Sequence, residues 1–251
     1  MKRIQGLTAV ITGAAGGIGS AAARRFAAEG ANIMLVDRDK AAVKGLSGEF
    51  PGDQVAYFAG DVADEQTMPA CLAQSLDRFG RVDIALLNAG IEGDLGRIED
   101  MPVAMFDRVM AVNVRSVWLG LAALMPVMRE SGGGSIVITS SVAGLRGSAN
   151  LAAYSASKHA VLGLMRSAAL EGAGHRVRVN AVNPAQTQTR MMEAIDSFLV
   201  AAGRTDDPAS RIPIGRYADP SEVAAIMLFL ASEESRFCTG ATYLVDGGSM
   251  T

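Results

Sequence analysis

Three side chains suited to acid–base chemistry lie close together in the second half of the chain. Ser141 precedes Tyr154 by thirteen positions, and Lys158 follows Tyr154 by four. Residues four apart are neighbours on one helix face, so the phenol and the ammonium should be close, with the Ser141 hydroxyl within reach. A nearby cation favours phenolate over phenol. We therefore expect Lys158 to lower the pKa of Tyr154 from its free value of about 10, which would allow proton exchange near neutral pH.

A glycine-rich segment near the N-terminus connects an apolar run to an amphipathic one. Its sequence is Thr12-Gly13-Ala14-Ala15-Gly16-Gly17-Ile18-Gly19. Glycine lets the backbone turn sharply and lie close to a pyrophosphate, and the helix N-terminus that follows supplies amide donors and a partial positive charge. We expect Gly13, Gly17, Ile18 and Gly19 to bind a dinucleotide.

The next apolar run ends in Asp37, where a carboxylate can accept hydrogen bonds from both hydroxyls of an adenosine ribose. The same negative charge would repel a 2'-phosphate, so Asp37 predicts NAD rather than NADP as the cofactor. Arg38 keeps the alternative open, because an arginine just after this position can bind a 2'-phosphate.

Short apolar runs alternate with longer amphipathic segments, a pattern typical of an α/β fold with a doubly wound parallel sheet and helices on both faces. The first helix should span residues 17–29. We find no internal repeat, linker or domain boundary, and expect one domain covering residues 1–251. The alternation predicts eight short strands in one sheet, of which seven can be placed at residues 8–12, 32–37, 55–59, 83–87, 135–140, 177–182 and 242–245.

Two segments depart from the alternation. Residues 189–220 form a long stretch with Met191, Ile195 and Phe198, which we interpret as a loop that serves as a substrate lid. The alternative is a variable surface loop without this role. Residues 111–129 predict a helix that is apolar nearly all round and needs cover on both sides. We favour a subunit interface for its outer face over another layer of this chain.

Composition narrows the class of protein. The chain has 251 residues, 49% of them hydrophobic, and a net charge of -3, which gives no broad basic surface for nucleic acid. The N-terminus lacks the apolar run of a secretory signal, and the most apolar stretch, residues 117–128, is too short for a membrane span. Cys71 and Cys238 are isolated and predict reduced thiols in the cytoplasm. His159 and His175 lie apart, and we expect no metal.

Taken in order, the glycine motif, Asn88-Ala89-Gly90, Asn113, Ser141 and Tyr154-x-x-x-Lys158 resemble the short-chain dehydrogenase/reductase family. The resemblance covers essentially the whole chain and implies a Rossmann-type fold and a homotetramer. It also implies a catalytic tetrad of Asn113, Ser141, Tyr154 and Lys158. The cofactor contacts that it implies, besides the glycine motif, Asp37, Tyr154 and Lys158, are Asp61, Val62, Asn88, Ala89, Gly90, Pro184, Thr187 and Thr189.

By the same resemblance, Tyr154 exchanges the proton of a secondary alcohol or ketone while hydride moves to or from the nicotinamide. Ser141 holds the substrate oxygen, Lys158 binds the nicotinamide ribose, and Asn113 holds a water near the lysine. One departure is Pro184-Ala185, where the family usually has Pro-Gly. An alanine there would narrow the nicotinamide pocket if the backbone needs a positive φ.

The substrate is less well defined. The expected pocket walls, residues 92–95, 145–151 and 191–199, mix leucine, methionine and phenylalanine with a few charges, and favour a small or medium, partly apolar, cyclic secondary alcohol or its ketone. An NADPH-dependent 3-oxoacyl thioester reductase of the same family is one alternative. A non-catalytic cofactor-sensing protein with the same fold is another.

Overall fold

Seven parallel strands form one sheet in the computed structural model, which describes residues 2–251. Their order across the sheet is β3-β2-β1-β4-β5-β6-β7. The predicted α/β class and doubly wound sheet are confirmed, whereas the count of eight strands is wrong. Apart from these seven, residues 185–241 contribute only an isolated bridge between Thr187 and Ala218. The strands are β1 (Thr8–Thr12), β2 (Asn32–Asp37), β3 (Val55–Ala59), β4 (Ile84–Leu87), β5 (Gly134–Thr139), β6 (Val177–Pro184) and β7 (Thr242–Val245).

The central strands are short, apolar and buried, as expected for a parallel sheet covered on both faces. All five residues of β1 are buried, and Thr8 pairs with Asn32 and Thr12 with Val36 on the neighbouring strand. Asp83 was expected to begin β4. It lies just before the strand, and its carboxylate accepts a 2.9 Å hydrogen bond from the backbone amide of Thr8.

Helices cover both faces of the sheet. One face carries α1 (Gly17–Ala28), α2 (Lys40–Ser47) and α8 (Pro220–Ala231), and its core includes Phe26 and Met227. The other carries α3 (Thr67–Phe79), α5 (Ser116–Glu130) and α6 (Ala152–Ala173), and its core includes Leu124 and Met165. The first helix therefore ends one residue earlier than predicted.

The helix expected at residues 111–129 is part of a longer one. It begins as α4 (Val103–Met110), widens into a π-helical turn at Ala111–Arg115 and continues as α5. By length and composition the whole segment, Val103–Glu130, could cross a membrane, with a mean hydropathy of 1.4 in its most apolar window. Half of that window is buried inside the fold, which is also the pattern of a core helix in a globular protein.

The segment expected to be a long loop, residues 189–220, contains a helix. This helix, α7 (Arg190–Ala201), begins where the Thr189 hydroxyl accepts a hydrogen bond from the backbone amide of Met192. None of its residues is fully buried, so it lies on the surface of the fold. A short 3₁₀ turn, Pro208–Arg211, follows before α8 begins.

The strand order reverses between β1 and β4, because β2 and β3 lie on one side of β1 and the later strands on the other. In such sheets a crevice opens at the carboxyl ends of the strands at this switch point. The loops after β1, β4, β5 and β6, which carry most of the predicted site, all leave the sheet at this edge.

Candidate active site

A cleft of about 950 Å³ opens at the carboxyl edge of the sheet. It is lined by every predicted cofactor and catalytic residue except Gly19 and Asn113. The two exceptions lie behind its wall and act through neighbours. The cleft thus brings residues from the N-terminal loop, the centre of the chain and the loop after β6 into one site.

The glycine loop is shaped by close approaches between backbones. Gly13 has φ +63°, and a Cβ atom there would lie 2.8 Å from Cα of Ala89 in the turn after β4. A Cβ atom on Gly19 would collide with the carbonyl oxygen of Gly13. These two positions therefore require glycine, and Gly19 contributes by letting the loop fold tightly onto α1.

The N-terminus of α1 faces the cleft and is open to an anion. Gly16 precedes the helix, no side chain caps it, and its first turn contains no acidic residue. Free backbone amides and the positive end of the helix dipole favour a phosphate group at this point. Gly16, Gly17 and Ile18 line the cleft here, so the donor set fits the pyrophosphate of a dinucleotide.

Asp37 lies at the adjoining end of the cleft, where β2 ends. Its two carboxylate oxygens accept hydrogen bonds from the backbone amides of Ala15, at 3.0 Å, and Asp39, at 3.1 Å. Each oxygen retains a lone pair for a ribose hydroxyl. Arg38 is exposed and lines the same end, and Asp61 and Val62 line it from the loop after β3.

The Asn88 side chain connects the turn after β4 to β1, the glycine loop and β5 by hydrogen bonds. Its side-chain amide donates to the carbonyl oxygens of Thr12, at 3.1 Å, and Gly13, at 3.3 Å. Its side-chain oxygen accepts a 3.0 Å hydrogen bond from the Thr139 hydroxyl. Asn88 therefore holds the glycine loop against the ends of β1 and β5. The wall presented to a ligand at this turn includes Ala89 and Gly90.

Lys158 is 4% exposed, and its ammonium donates a 2.8 Å hydrogen bond to the carbonyl oxygen of Thr139. Burial lowers the pKa of Lys158 to about 8. A Cβ atom on Gly90 would lie 3.3 Å from Nζ of Lys158. The space over Gly90 is therefore a cradle next to the ammonium, where a polar ligand group can approach it.

The pKa of Tyr154 departs from the expectation. Burial raises it to about 12, the nearby Ser141 hydroxyl opposes the rise, and the charge of Glu92 adds to it. The Lys158 ammonium lies 5.5 Å from the centre of the ring, over its face. The expected lowering by Lys158 is wrong, because loss of solvation has the largest effect on the phenol and raises its pKa.

Ser141 and Asn113 are both held by backbone contacts. The Ser141 hydroxyl accepts a 3.1 Å hydrogen bond from the amide of Ala143 and donates one of 3.4 Å to the carbonyl oxygen of Pro184. Asn113, in the π-helical turn, accepts from the amide of Ile91 and donates to its carbonyl oxygen, at 2.8 and 2.9 Å. Asn113 thus positions the segment after Gly90, and its predicted contact with a water stays a prediction.

Comparisons with known proteins show the family to which the chain belongs. A family model described as enoyl-(acyl carrier protein) reductase matches residues 13–250. Levodione reductase of Leifsonia aquatica is 37% identical over 95% of this chain and 92% of its own length. A crystal structure of levodione reductase, at 37% identity, gives a TM-score of 0.92 and covers 98% of both chains. A short-chain type dehydrogenase/reductase from Mycobacterium marinum gives a TM-score of 0.91 at 32% identity, covering 99% of this chain and 97% of its own. The chain belongs to the short-chain dehydrogenase/reductase family.

Three further relatives bear on the chemistry. Cyclohexanol dehydrogenase of Acinetobacter sp. (strain SE19) is 34% identical over 95% of this chain and 93% of its own. A 3-oxoacyl-[acyl-carrier-protein] reductase of Thermotoga maritima is 36% identical over 98% of both. The structure of xylitol dehydrogenase bound to NAD⁺ gives a TM-score of 0.93 at 32% identity, covering 98% of this chain and 100% of its own. As the sequence predicted, the chain is an oxidoreductase of this family.

The one departure from the family pattern causes no strain. Ala185 is not among the non-glycine residues with positive φ, which are Asn150 and Arg176. Its amide donates a 3.0 Å hydrogen bond to the carbonyl oxygen of Val245, and its own carbonyl oxygen accepts one from the Thr187 hydroxyl. The Ala185 methyl group therefore adds volume to the cleft wall without straining the backbone.

Two threonines that the sequence did not assign to the site help to build it. Thr12 ends β1, and its hydroxyl accepts hydrogen bonds from the amides of Asn88, at 2.9 Å, and Ala89, at 3.1 Å. Thr139 ends β5 and supplies the oxygen that holds Lys158. A threonine at the end of a strand that enters the site, just before its glycine or serine turn, is the signal that could have indicated both.

The substrate end of the cleft is bounded as expected by three segments. Glu92 and Leu95 come from the loop after β4, Leu151 from the loop before α6, and Met192 and Phe198 from α7. Charged and polar side chains accompany them, among them Arg146, Arg190, Asp196, Arg204 and Tyr217. The Tyr217 hydroxyl donates to the Asp196 carboxylate at 2.8 Å, which ties α7 to the loop before α8.

Proposed function

We propose that this protein is an NAD-dependent oxidoreductase that interconverts a secondary alcohol and its ketone. The observation that carries the proposal is the convergence of Ser141, Tyr154 and Lys158 beside Gly90, in the same cleft as an uncapped helix N-terminus. This arrangement combines a dinucleotide site with a proton donor and acceptor. Relatives that include cyclohexanol dehydrogenase and levodione reductase favour the same chemistry.

In the oxidative direction, Tyr154 would accept the hydroxyl proton of the alcohol and Ser141 would donate a hydrogen bond to the same oxygen. A bound nicotinamide supplies the acceptor for the hydride that leaves the carbinol carbon. Lys158 has two ammonium hydrogens beyond the one bound to Thr139, and these would hold the nicotinamide ribose and favour ionised Tyr154. Asn113 would keep Gly90 and Ile91 in place. The two electrons leave with the hydride and the proton leaves through Tyr154.

NAD is proposed because Asp37 presents carboxylate oxygens at the adenosine end of the cleft. A 2'-phosphate would have to lie beside this charge. Asp61 and Val62 would contact the adenine, and Pro184, Thr187 and Thr189 the nicotinamide end. The solved xylitol dehydrogenase, at 32% identity, holds NAD⁺.

For the substrate, we propose a small or medium, partly apolar, cyclic secondary alcohol. Leu95, Leu151, Met192 and Phe198 provide apolar walls, and α7 with the segment to residue 220 would act as a lid. A rate assay following NADH absorbance with a panel of cyclic and linear secondary alcohols tests the proposal. Turnover of cyclic alcohols with NAD is the expected result, and activity confined to charged sugars would contradict it.

A second candidate is an NADPH-dependent 3-oxoacyl thioester reductase. Two observations favour it, the exposed Arg38 at the adenosine end and the relative from Thermotoga maritima that carries this name. The assay that separates the two candidates compares acetoacetyl thioester plus NADPH with cyclohexanol plus NAD. Faster turnover of the thioester would favour the second candidate.

We also expect a cytoplasmic homotetramer. The outer face of α5 exposes Trp118, at 60% of its surface, and α6 exposes Leu170, at 82%. Large apolar side chains on neighbouring helices would be covered by a second copy. Sedimentation or light scattering tests the assembly, with a mass of four chains as the expected result.

A further inference from the structure

Glu92 is a carboxylate at the substrate end of the cleft, with no partner in the described part of the chain. It is partly buried and lines the cleft together with Tyr154, Leu95 and Leu151. Among residues 2–251, no ion pair includes it, and its carboxylate accepts no hydrogen bond. Its carboxylate oxygens are not among the fully buried polar atoms that lack a partner, so they are accessible within the cleft and can accept a hydrogen bond from a ligand.

The backbone that carries Glu92 is fixed. Asn113 holds both the amide and the carbonyl group of Ile91, the residue just before Glu92. Gly90, one residue earlier, lies against the Lys158 ammonium. Glu92 is therefore anchored two residues after Gly90, which lies beside Lys158, and its charge is close enough to Tyr154 to contribute to the raised pKa of the phenol.

The other charged groups of the substrate end have partners of their own, apart from Arg190. Arg146 donates a 3.3 Å hydrogen bond to the carbonyl oxygen of Ser249. Asp196 accepts from the Tyr217 hydroxyl, and Arg204 lies 3.9 Å from Asp206. Arg190, at the start of α7, is exposed and lines the cleft. Of the acidic side chains at this end, Glu92 is the one left for a substrate.

We propose that Glu92 is a specificity-determining residue that accepts a hydrogen bond from a second hydroxyl of the substrate, next to the carbinol that reacts. The substrate class would then be a cyclic vicinal diol or its hydroxyketone. This inference rests on the proposed function, because it assumes that the ring lies between Tyr154 and the apolar walls. Hydrogen bonds to ionised acceptors are stronger than neutral ones, so the second hydroxyl should matter to the rate.

The test compares 1,2-cyclohexanediol with cyclohexanol, in the oxidative direction with saturating NAD, through the ratio of their kcat/KM values. The wild-type protein should prefer the diol by about 10-fold or more. In Glu92→Leu the ratio should fall close to one. In Glu92→Gln, which keeps a neutral acceptor of the same shape, it should be intermediate. Asp94→Leu is the matched control, because Asp94 is exposed in the same loop and does not line the cleft.

Folding of each variant is checked by thermal melting and by NADH binding. Loss of the preference in Glu92→Leu but not in Asp94→Leu supports the proposal. A wild-type protein that oxidises both alcohols without preferring the diol overturns it, as does a preference that survives in both Glu92 variants. If the wild-type protein oxidises neither alcohol with NAD while binding NADH, the proposed function fails, and this inference fails with it.

Discussion

The Lys158 ammonium lies over the face of the Tyr154 ring, 5.5 Å from its centre, and is hydrogen-bonded to the carbonyl oxygen of Thr139. The ammonium is thus anchored to the end of β5 rather than to the phenol. In this arrangement the pKa of Tyr154 stays at about 12 and that of Lys158 falls to about 8, both because of burial.

Replacing the phenol tests its assigned role most directly. In Tyr154→Phe the ring remains and the proton donor and acceptor is lost, so kcat should fall by about 10²- to 10⁴-fold. NADH binding, followed by fluorescence, should change little. Tyr243→Phe is the matched control, because Tyr243 lies on β7 and does not line the cleft. Turnover within a few-fold of the wild-type value in Tyr154→Phe would contradict the role.

The buried lysine should make stability depend on pH. Its folded pKa of about 8 lies below its ordinary value of 10.5. Below pH 8 it is protonated in both the folded and the unfolded state, and the folded state bears the cost of burying the charge. Between the two values only the unfolded state keeps the proton, so the free energy of unfolding rises with pH.

The measurement compares the wild-type protein with Lys158→Met, without cofactor, by denaturant unfolding at about pH 7 and about pH 10. The difference in free energy of unfolding should move in favour of the wild type by about 2 to 3 kcal/mol as the pH rises. A difference that stays constant over this range would show that Lys158 is solvated more fully than its 4% exposure indicates.

Sequence periodicity predicted most of the strands of the sheet and was a weaker guide to the helices. The predicted bounds of β1, β2, β3 and β7 are confirmed, because buried parallel strands are short apolar runs that stop at turn residues. The helix predicted at residues 111–129 starts earlier in the structure, at Val103. The π-helical turn that joins α4 to α5 has no recognisable sequence pattern, so the prediction did not connect the two helices. The surface helix α7 was missed because none of its residues is fully buried.

For the site, the residue motifs and the family that they resemble predicted side chains that, apart from Gly19 and Asn113, line the cleft. What they could not give was the environment of each group. Spacing placed Lys158 near Tyr154, yet the direction of the Tyr154 pKa depends on burial, which comes from packing of distant segments. The same holds for Asn88 and Asn113, whose side chains are occupied by backbone groups.

The carboxylate at the adenosine end should control the choice of cofactor. Asp37→Ser removes the charge that would repel a 2'-phosphate and leaves Arg38 to attract it, so kcat/KM for NADP relative to NAD should rise by about 10-fold or more. The KM for NAD should also rise, because Ala15 and Asp39 lose their acceptor. Asp53→Ser serves as the control, because it removes the same charge from an exposed residue that does not line the cleft. An unchanged preference in Asp37→Ser would remove the case for Asp37 as the discriminating group.

Two glycine-to-alanine changes should have opposite effects. A methyl group on Gly19 would collide with the carbonyl oxygen of Gly13, so Gly19→Ala must push the phosphate-binding loop away from α1. We expect a lower melting temperature and at least about 10-fold weaker NADH binding, since the loop can no longer follow the helix N-terminus.

In Gly45→Ala, within α2, the added methyl meets nothing within 4 Å. There the better helix propensity of alanine should stabilise the protein by up to about 1 kcal/mol and leave NADH binding unchanged. Thermal melting and fluorescence titration of both variants check the pair, and normal NADH affinity in Gly19→Ala would show that the loop tolerates the shift.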